Sequence, residues 1–356
     1  MTTARGHQLE LFDVGEMPEI VGGYPMMRYM GSKFRLLPWI HSVLQELDFD
    51  QALDGFSGSG CVGYLLKAMG KEVCSSDFLN FPTVIATATI ENPGVTLTPD
   101  EVELLLAHDP KHRRFIETTF NGIFFTTEDL RFLDRVSWNL PKLGNRYKQA
   151  IAASAMIRAC AKRQPRGVFT VAGDPDRYKD DRRDLRMSIE EHFLEHVDVY
   201  NAAVFNNGRS NRAIRSDIFS VGSSFDLVYL DPPYVPRSDD NCYMKRYHFL
   251  EGLSCYWNNV EIMETSRVKK ISKPFTPFSY RRTAIEAFDR MFASFADSTI
   301  VLSYSSNGYP DLTQLKEMLG RYKGTVDVHQ RSHRYHFGTH SKASRNQVVE
   351  YLIVGQ

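Results

Sequence analysis

The sequence predicts a mostly parallel α/β sheet, covered on both faces and interrupted by a helical insertion, and three observations predict it. Seven short apolar runs recur at residues 52–56, 72–76, 212–215, 225–230, 299–304, 325–330 and 347–354, bounded by Gly, Asp or Ser. Helical patterns lie between several of them, at residues 34–47, 60–69 and 284–295. Strands that alternate with helices run parallel and are buried on both faces. The stretch 91–211 breaks this rhythm and reads as helix-rich, most clearly over 128–136 and 148–160.

Each element follows from its own residues. Residues 1–22 form a polar arm without the basic-then-apolar arrangement of a secretory signal. In the helix over 34–47, Leu36, Leu37, Ile40, Val43, Leu44 and Leu47 fall on one stripe. The strand over 52–56 runs into a glycine-rich turn, and the helix over 60–69 follows. The last two strands are joined by a polar, basic segment, 331–345, with no helix, which implies an antiparallel hairpin closing one edge of the sheet. The expected organisation is an arm (1–22), a catalytic domain in two pieces (23–90 and 212–356) and an inserted helical domain (91–211).

Bulk composition excludes several classes. With 356 residues the chain can bury a full α/β core and carry a second module. No apolar stretch approaches the ~20 residues of a membrane span. Five cysteines without a CxxC pair indicate neither a disulfide framework nor a zinc site, and His333, His336 and His340 have no carboxylate or cysteine to complete a ligand set, so no metal is expected. A reducing, cytoplasmic setting is expected. The 43 basic and 43 acidic residues balance, so nucleic acid would be met by local patches. One patch runs from Arg158 through Lys162, Arg163, Arg166, Arg182 and Arg183 to Arg215, and another includes Arg267, Lys269, Lys270, Arg281 and Arg282. Either patch also reads as an ordinary solvated face.

The strongest chemical signal is an apolar strand ending in Asp231-Pro232-Pro233-Tyr234. Ligands of open α/β sheets bind beyond the carboxyl ends of the strands, so this aspartate faces a site. Two prolines stiffen the turn, remove two N–H donors and leave the Pro232 carbonyl as an acceptor. Such a pair of acceptors suits an exocyclic adenine amine, a poor nucleophile whose hydrogens must be gripped before it can attack. Tyr234 offers a flat face for a base turned out of the duplex.

The second constellation is Leu53-Asp54-Gly55-Phe56-Ser57-Gly58-Ser59-Gly60, a strand entering a glycine-rich turn. Gly58, Gly60 and Gly63 also spell GxGxxG, and Asp77 stands where a ribose-binding acid would, so this motif by itself also fits a dinucleotide enzyme. That alternative gives no role to residues 231–234 or to the insertion.

In their order these motifs resemble the Dam-like, alpha-group N6-adenine DNA methyltransferases, whose target-recognition domain is inserted before the Asp-Pro-Pro-Tyr tetrapeptide. Arg28-Tyr29-Met30-Gly31-Ser32-Lys33 is similar to the family's N-terminal cofactor motif, residues 53–60 to its acidic-FxGxG loop, Ser76-Asp77-Phe78 to its ribose-binding acid, and Arg215-Ser216-Asp217-Ile218-Phe219 to its next motif. The resemblance implies a Rossmann-like class I methyltransferase fold and S-adenosyl-L-methionine as cofactor. It implies that Tyr29 and Lys33 help hold the cofactor, that Asp54, Phe56, Ser57, Gly58 and Gly60 shape its pocket, and that Asp77 and Phe78 meet the ribose. Asp217 and Ile218 would lie by the cofactor adenine, and Asp231 would serve both substrate and cofactor. Residues 120–130 are similar to a segment of some restriction-associated members, which leaves room for a cognate restriction endonuclease as a partner.

Double-stranded DNA is the expected substrate, with Lys162, Arg163, Arg166, Arg182, Arg183, Lys270 and Arg334 as phosphate contacts and Gln164 or Asn207 as readers of base edges. The segment 269–282, with Phe275, Phe278 and Tyr280 among its charges, reads as a DNA-closing element or a plain surface loop. No spacing encodes a recognition sequence or an oligomeric state. An N4-cytosine enzyme remains an alternative, although that group more often carries Ser at the position of Asp231. A non-catalytic relative would show decay of the tetrapeptide or the glycine loop. A cytosine-C5 enzyme is excluded by the missing Pro-Cys motif.

Overall fold

A computed structural model describes residues 16–165, 167–173, 182–235, 242–272, 274–334 and 347–356, with only the backbone described for Arg334. The first helix is delayed. Pro38, pre-set for a first helical turn, starts α1 (Leu37–Leu44) after a 3-10 turn at Phe34–Leu36. There follow β1 (Gln51–Asp54), α2 (Cys61–Ala68), β2 (Glu72–Asp77) and α3 (Asn80–Ala86). The helical stretch contains α4 (Pro99–Leu106), α5 (Phe115–Phe120), α6 (Thr127–Asn139), α7 (Arg146–Arg163), α8 (Arg183–Arg186) and α9 (Ile189–Ala203). The chain returns to the sheet with β3 (Arg212–Arg215) and β4 (Leu227–Leu230), then α10 (Tyr243–Ser254), α11 (Arg281–Ser294), β5 (Thr299–Ser305), α12 (Leu312–Leu319), β6 (Val326–Arg334) and β7 (Gln347–Gly355).

All seven expected strands join one sheet, in the order β3-β2-β1-β4-β5-β7-β6. The first five are parallel, and β7 runs antiparallel between β5 and β6. Two strand limits differ from expectation for local reasons. β4 starts at Leu227 because Asp226 turns its carboxylate to the N–H groups of Asp50 and Gln51, at 2.9 and 2.8 Å. β6 runs on to Arg334, into the segment expected to be a linker, because β7 supplies a partner for every one of its residues. Strand order reverses between β1 and β4, and the crevice at their carboxyl ends is where a ligand is expected.

The helical stretch does not keep its core to itself. Phe120, Phe124, Phe125, Leu133, Met156 and Phe193 are buried in one cluster with Phe81 and Ile85 of α3 and with Phe249, Leu250 and Trp257 in and after α10. Phe249 meets Phe120 edge-on at 5.0 Å and stacks on Phe169 at 5.1 Å. Two of these helices carry weak sequence signals. α9 is opened by a reciprocal cap between Ser188 and Glu191, and α10 buries residues on all sides, so it shows no apolar stripe to read. Among the described residues no helix is long and apolar enough to cross a membrane.

Candidate active site

The site grows from three strand ends. β1 delivers Asp54, which is buried and accepts the N–H of Gly63 at 3.0 Å, tying the strand tip to the start of α2. Between them the turn demands glycine twice. A Cβ on Gly55 would stand 2.8 Å from Ile218, and Gly58 has φ +50° with the Tyr29 ring 2.9 Å from where its Cβ would lie. Gly60, at φ +77°, faces Tyr24 instead, so it shapes the turn without lining the cavity. β2 delivers Asp77, whose two oxygens accept the N–H groups of Gly58 and Leu79 at 2.9 and 2.8 Å.

β4 delivers Asp231. Its carboxylate lies 2.7 Å from the ammonium of Lys33, which is only 3% exposed and also donates to the Gly31 carbonyl at 3.1 Å and the Tyr234 hydroxyl at 3.2 Å. Lys33 is thus a buried counter-charge and not an exposed helix start. Tyr234 donates in turn to Glu350 at 3.3 Å, and its ring meets Tyr304 edge-on at 4.9 Å. Glu350, on β7, is fully buried. No motif marks it; only the antiparallel strand brings it to the site.

One cavity joins these groups. Tyr29, Lys33, Asp54, Phe56, Ser57, Gly58, Asp77, Phe78, Asp217, Ile218, Asp231, Pro233 and Tyr234 all line it, whereas Pro232 does not. Asp217 keeps its local task as well, accepting the N–H of Phe219 at 3.0 Å. The sequence reading missed Tyr243, at the start of α10, and the wall formed by residues 274 and 276–279. Tyr243 stacks on Tyr29 at 5.5 Å and donates to the Met30 carbonyl at 3.2 Å; Tyr247 stacks on Tyr29 at 5.1 Å and accepts the Met30 N–H at 2.8 Å. α10 therefore grips the peptide next to Tyr29 from both sides.

Burial dominates the electrostatics. It pushes the Asp54 carboxyl up to about 8, with the Asp231 charge adding to it. Asp77 is raised to about 6 by burial, opposed by its backbone donors. Asp231 is also raised by burial to about 6, a rise that the Lys33 ammonium restrains. At neutral pH Asp231 is therefore an ionised acceptor.

The residues expected to meet DNA are placed unevenly. Lys162 lies 3.4 Å from Asp184, Arg163 is directed at Asp129 and the Leu185 carbonyl, and Arg183 pairs with Glu195. Arg182 donates to the Pro165 carbonyl at 3.1 Å. Much of this patch ties α6, α7, α8 and α9 together, with its charge offset by acids. Lys270 is half-buried on the hairpin that bridges Ile262 and Ile271. Arg166 and the Arg334 side chain lie outside the described residues. Gln164 and Asn207, expected as base readers, spend their amides inside the protein. The Gln164 amide donates to the Phe124 carbonyl at 3.0 Å, and the Asn207 amide to the carbonyls of Lys67 and Lys71 at 3.0 and 2.9 Å.

Comparison with known proteins agrees with this geometry. Residues 29–296 match the family described as D12 class N6 adenine-specific DNA methyltransferase. The chain is 30% identical over 345 residues to the type II methyltransferase M2.HphI of Haemophilus parahaemolyticus, covering 93% of this chain and 98% of that protein. It is 23% identical to M.NlaIII of Neisseria lactamica, covering 98% of it, and 23% identical to M.FokI of Planomicrobium okeanokoites, of which it spans 52%. The match reaches from Tyr29 through the glycine turn and Asp231, so the chain belongs to the D12 class of N6-adenine-specific DNA methyltransferases.

Proposed function

We propose that the protein methylates N6 of an adenine turned out of duplex DNA, with S-adenosyl-L-methionine held in the cavity between the glycine turn and Asp231. The observation that carries this is the convergence of the Asp231 carboxylate, the Tyr29–Gly58 contact and Asp77 on one cavity. The donor set fits the cofactor. The Ser57 hydroxyl is buried without a partner among the described residues, and each Asp77 oxygen keeps acceptor capacity beyond its backbone bond. When bound, the sulfonium cofactor supplies an electrophilic methyl group.

The chain's residues do the rest. Asp231 accepts an amino hydrogen, holding the nitrogen in the geometry of attack as positive charge grows on it. Lys33 keeps Asp231 ionised and Tyr234 in place, and Tyr234 stacks on the extruded base. The amine proton leaves by way of the Asp231 carboxylate. Phe56, Ile218 and Phe278 enclose the adenosine end, and Asp77 receives the ribose hydroxyls. The helices over 91–211 act as the target-recognition domain, and Lys270, on the hairpin that bridges Ile262 and Ile271, is nearest to a phosphate-binding role. A restriction endonuclease of the same specificity is the proposed partner.

Methylation of mixed duplexes followed by nucleoside analysis tests the reading: N6-methyldeoxyadenosine is expected, and N4-methyldeoxycytidine as sole product would overturn it. Two outcomes follow from the site. Protonated Asp231 has lost its negative charge and presents an O–H donor toward the amine, so kcat/KM for DNA is expected to fall as pH drops through about 6, by roughly tenfold per unit below it. A pH–rate profile checks this. Gly58→Ala forces a side chain against the Tyr29 ring at positive φ, and calorimetry is expected to show cofactor affinity reduced by roughly tenfold.

A further inference from the structure

The segment 274–279 divides its aromatic side chains between two tasks. Phe278 is buried, edge-on to Phe56 at 5.6 Å and face to face with Phe219 at 5.8 Å, and so forms part of the cavity wall. Phe275, three residues earlier, points the other way and is 63% exposed. It stacks on Tyr280 at 5.7 Å with the ring planes 10° apart, which leaves one flat apolar face to the outside. The turn cannot easily tuck it in. Ser279 donates its N–H to the Thr276 carbonyl at 3.0 Å, and Thr283 donates its hydroxyl to the Pro277 carbonyl at 2.6 Å. One cation flanks the stack: the Arg282 guanidinium is 5.8 Å from the Tyr280 ring, while that of Arg281 lies over the ring of Tyr309 at 4.1 Å.

An exposed, stacked ring beside an arginine, on the segment that walls the methyl-transfer cavity, matches the chemistry of a nucleic acid strand. Removing one base from a duplex strips its neighbours of a stacking partner, and an aromatic face replaces that contact for any base. An arginine beside it meets an adjoining phosphate. We propose that Phe275, backed by Tyr280 and flanked by Arg282, is a stacking platform for a nucleobase of the DNA at the mouth of this cavity, an assignment that rests on the DNA-methylating reading above.

Phe275→Ala and Phe275→Trp test it. The alanine variant is expected to keep the wild-type melting temperature and cofactor affinity but to bind duplex DNA about tenfold more weakly, with the tryptophan variant near wild type. Added duplex, and not added cofactor, is expected to quench the fluorescence that Trp at this position contributes beyond the three native tryptophans. Wild-type DNA affinity in the alanine variant, or a loss of cofactor affinity in its place, would overturn the platform. If that happens while the wild-type protein still forms N6-methyldeoxyadenosine, the platform fails by itself; a wild-type protein that neither binds nor methylates DNA sinks both.

Discussion

Asp231→Ala is expected to lower kcat for methyl transfer by at least about a hundredfold, the scale observed when one pre-placed polar group facing a developing charge is removed. The physical case rests on burial. An acceptor at the tip of β4, 2.7 Å from a buried ammonium, costs no reorganisation when the amine gains positive charge, whereas water in its place must reorient. Single-turnover methylation with saturating DNA and cofactor measures the loss, and gel-shift titration should find duplex affinity changed by less than about threefold. Asp231→Asn separates shape from charge. It keeps one acceptor oxygen but presents an amide donor to the substrate amine, so it is expected to be nearly as slow. Substantial turnover by either variant would remove Asp231 from the role assigned to it.

Lys33→Met should also be damaging, by a different route. Removing one partner of a buried ion pair leaves the other charge uncompensated, at a cost of about 3–5 kcal/mol, and such a carboxyl escapes by taking up a proton. With Asp231 already raised to about 6 against the restraint of Lys33, the variant's carboxyl should titrate higher still. The acid limb of the pH–rate profile is then expected to move to more alkaline pH, and activity at pH 7 to fall by roughly tenfold or more, recovering in part at pH 9. An unshifted limb with reduced activity would show that Lys33 only fills space. Lys33→Arg, which retains the charge, should keep the limb near its original position.

Much of the site was legible because its chemistry is written in contiguous residues. Asp231-Pro232-Pro233-Tyr234 announces a rigid strand tip with two acceptors, and the glycines at 55 and 58 are needed for contacts that any Cβ would spoil, with Ile218 and with Tyr29. The residues that support those motifs were not legible. Lys33 and Tyr234 are 201 positions apart, and Tyr234 and Glu350 are 116 apart, so neither pairing leaves a local pattern. The basic run at 158–186 shows its charge in the sequence without its partners; folding supplies Asp184 to Lys162, Asp129 to Arg163 and Glu195 to Arg183.

By itself, the sequence determined the types and order of the elements and the family, and it marked the candidate site motifs, because period, turn chemistry and short motifs are properties of neighbouring residues. The tertiary structure decided which charges cancel. It also placed β7 between β5 and β6 so that Glu350 backs Tyr234, clamped Met30 between two tyrosines of α10, and turned residues 274 and 276–279 into a cavity wall. These outcomes depend on which distant surfaces meet, and that is settled only when the whole core closes and every buried polar group must find its partner.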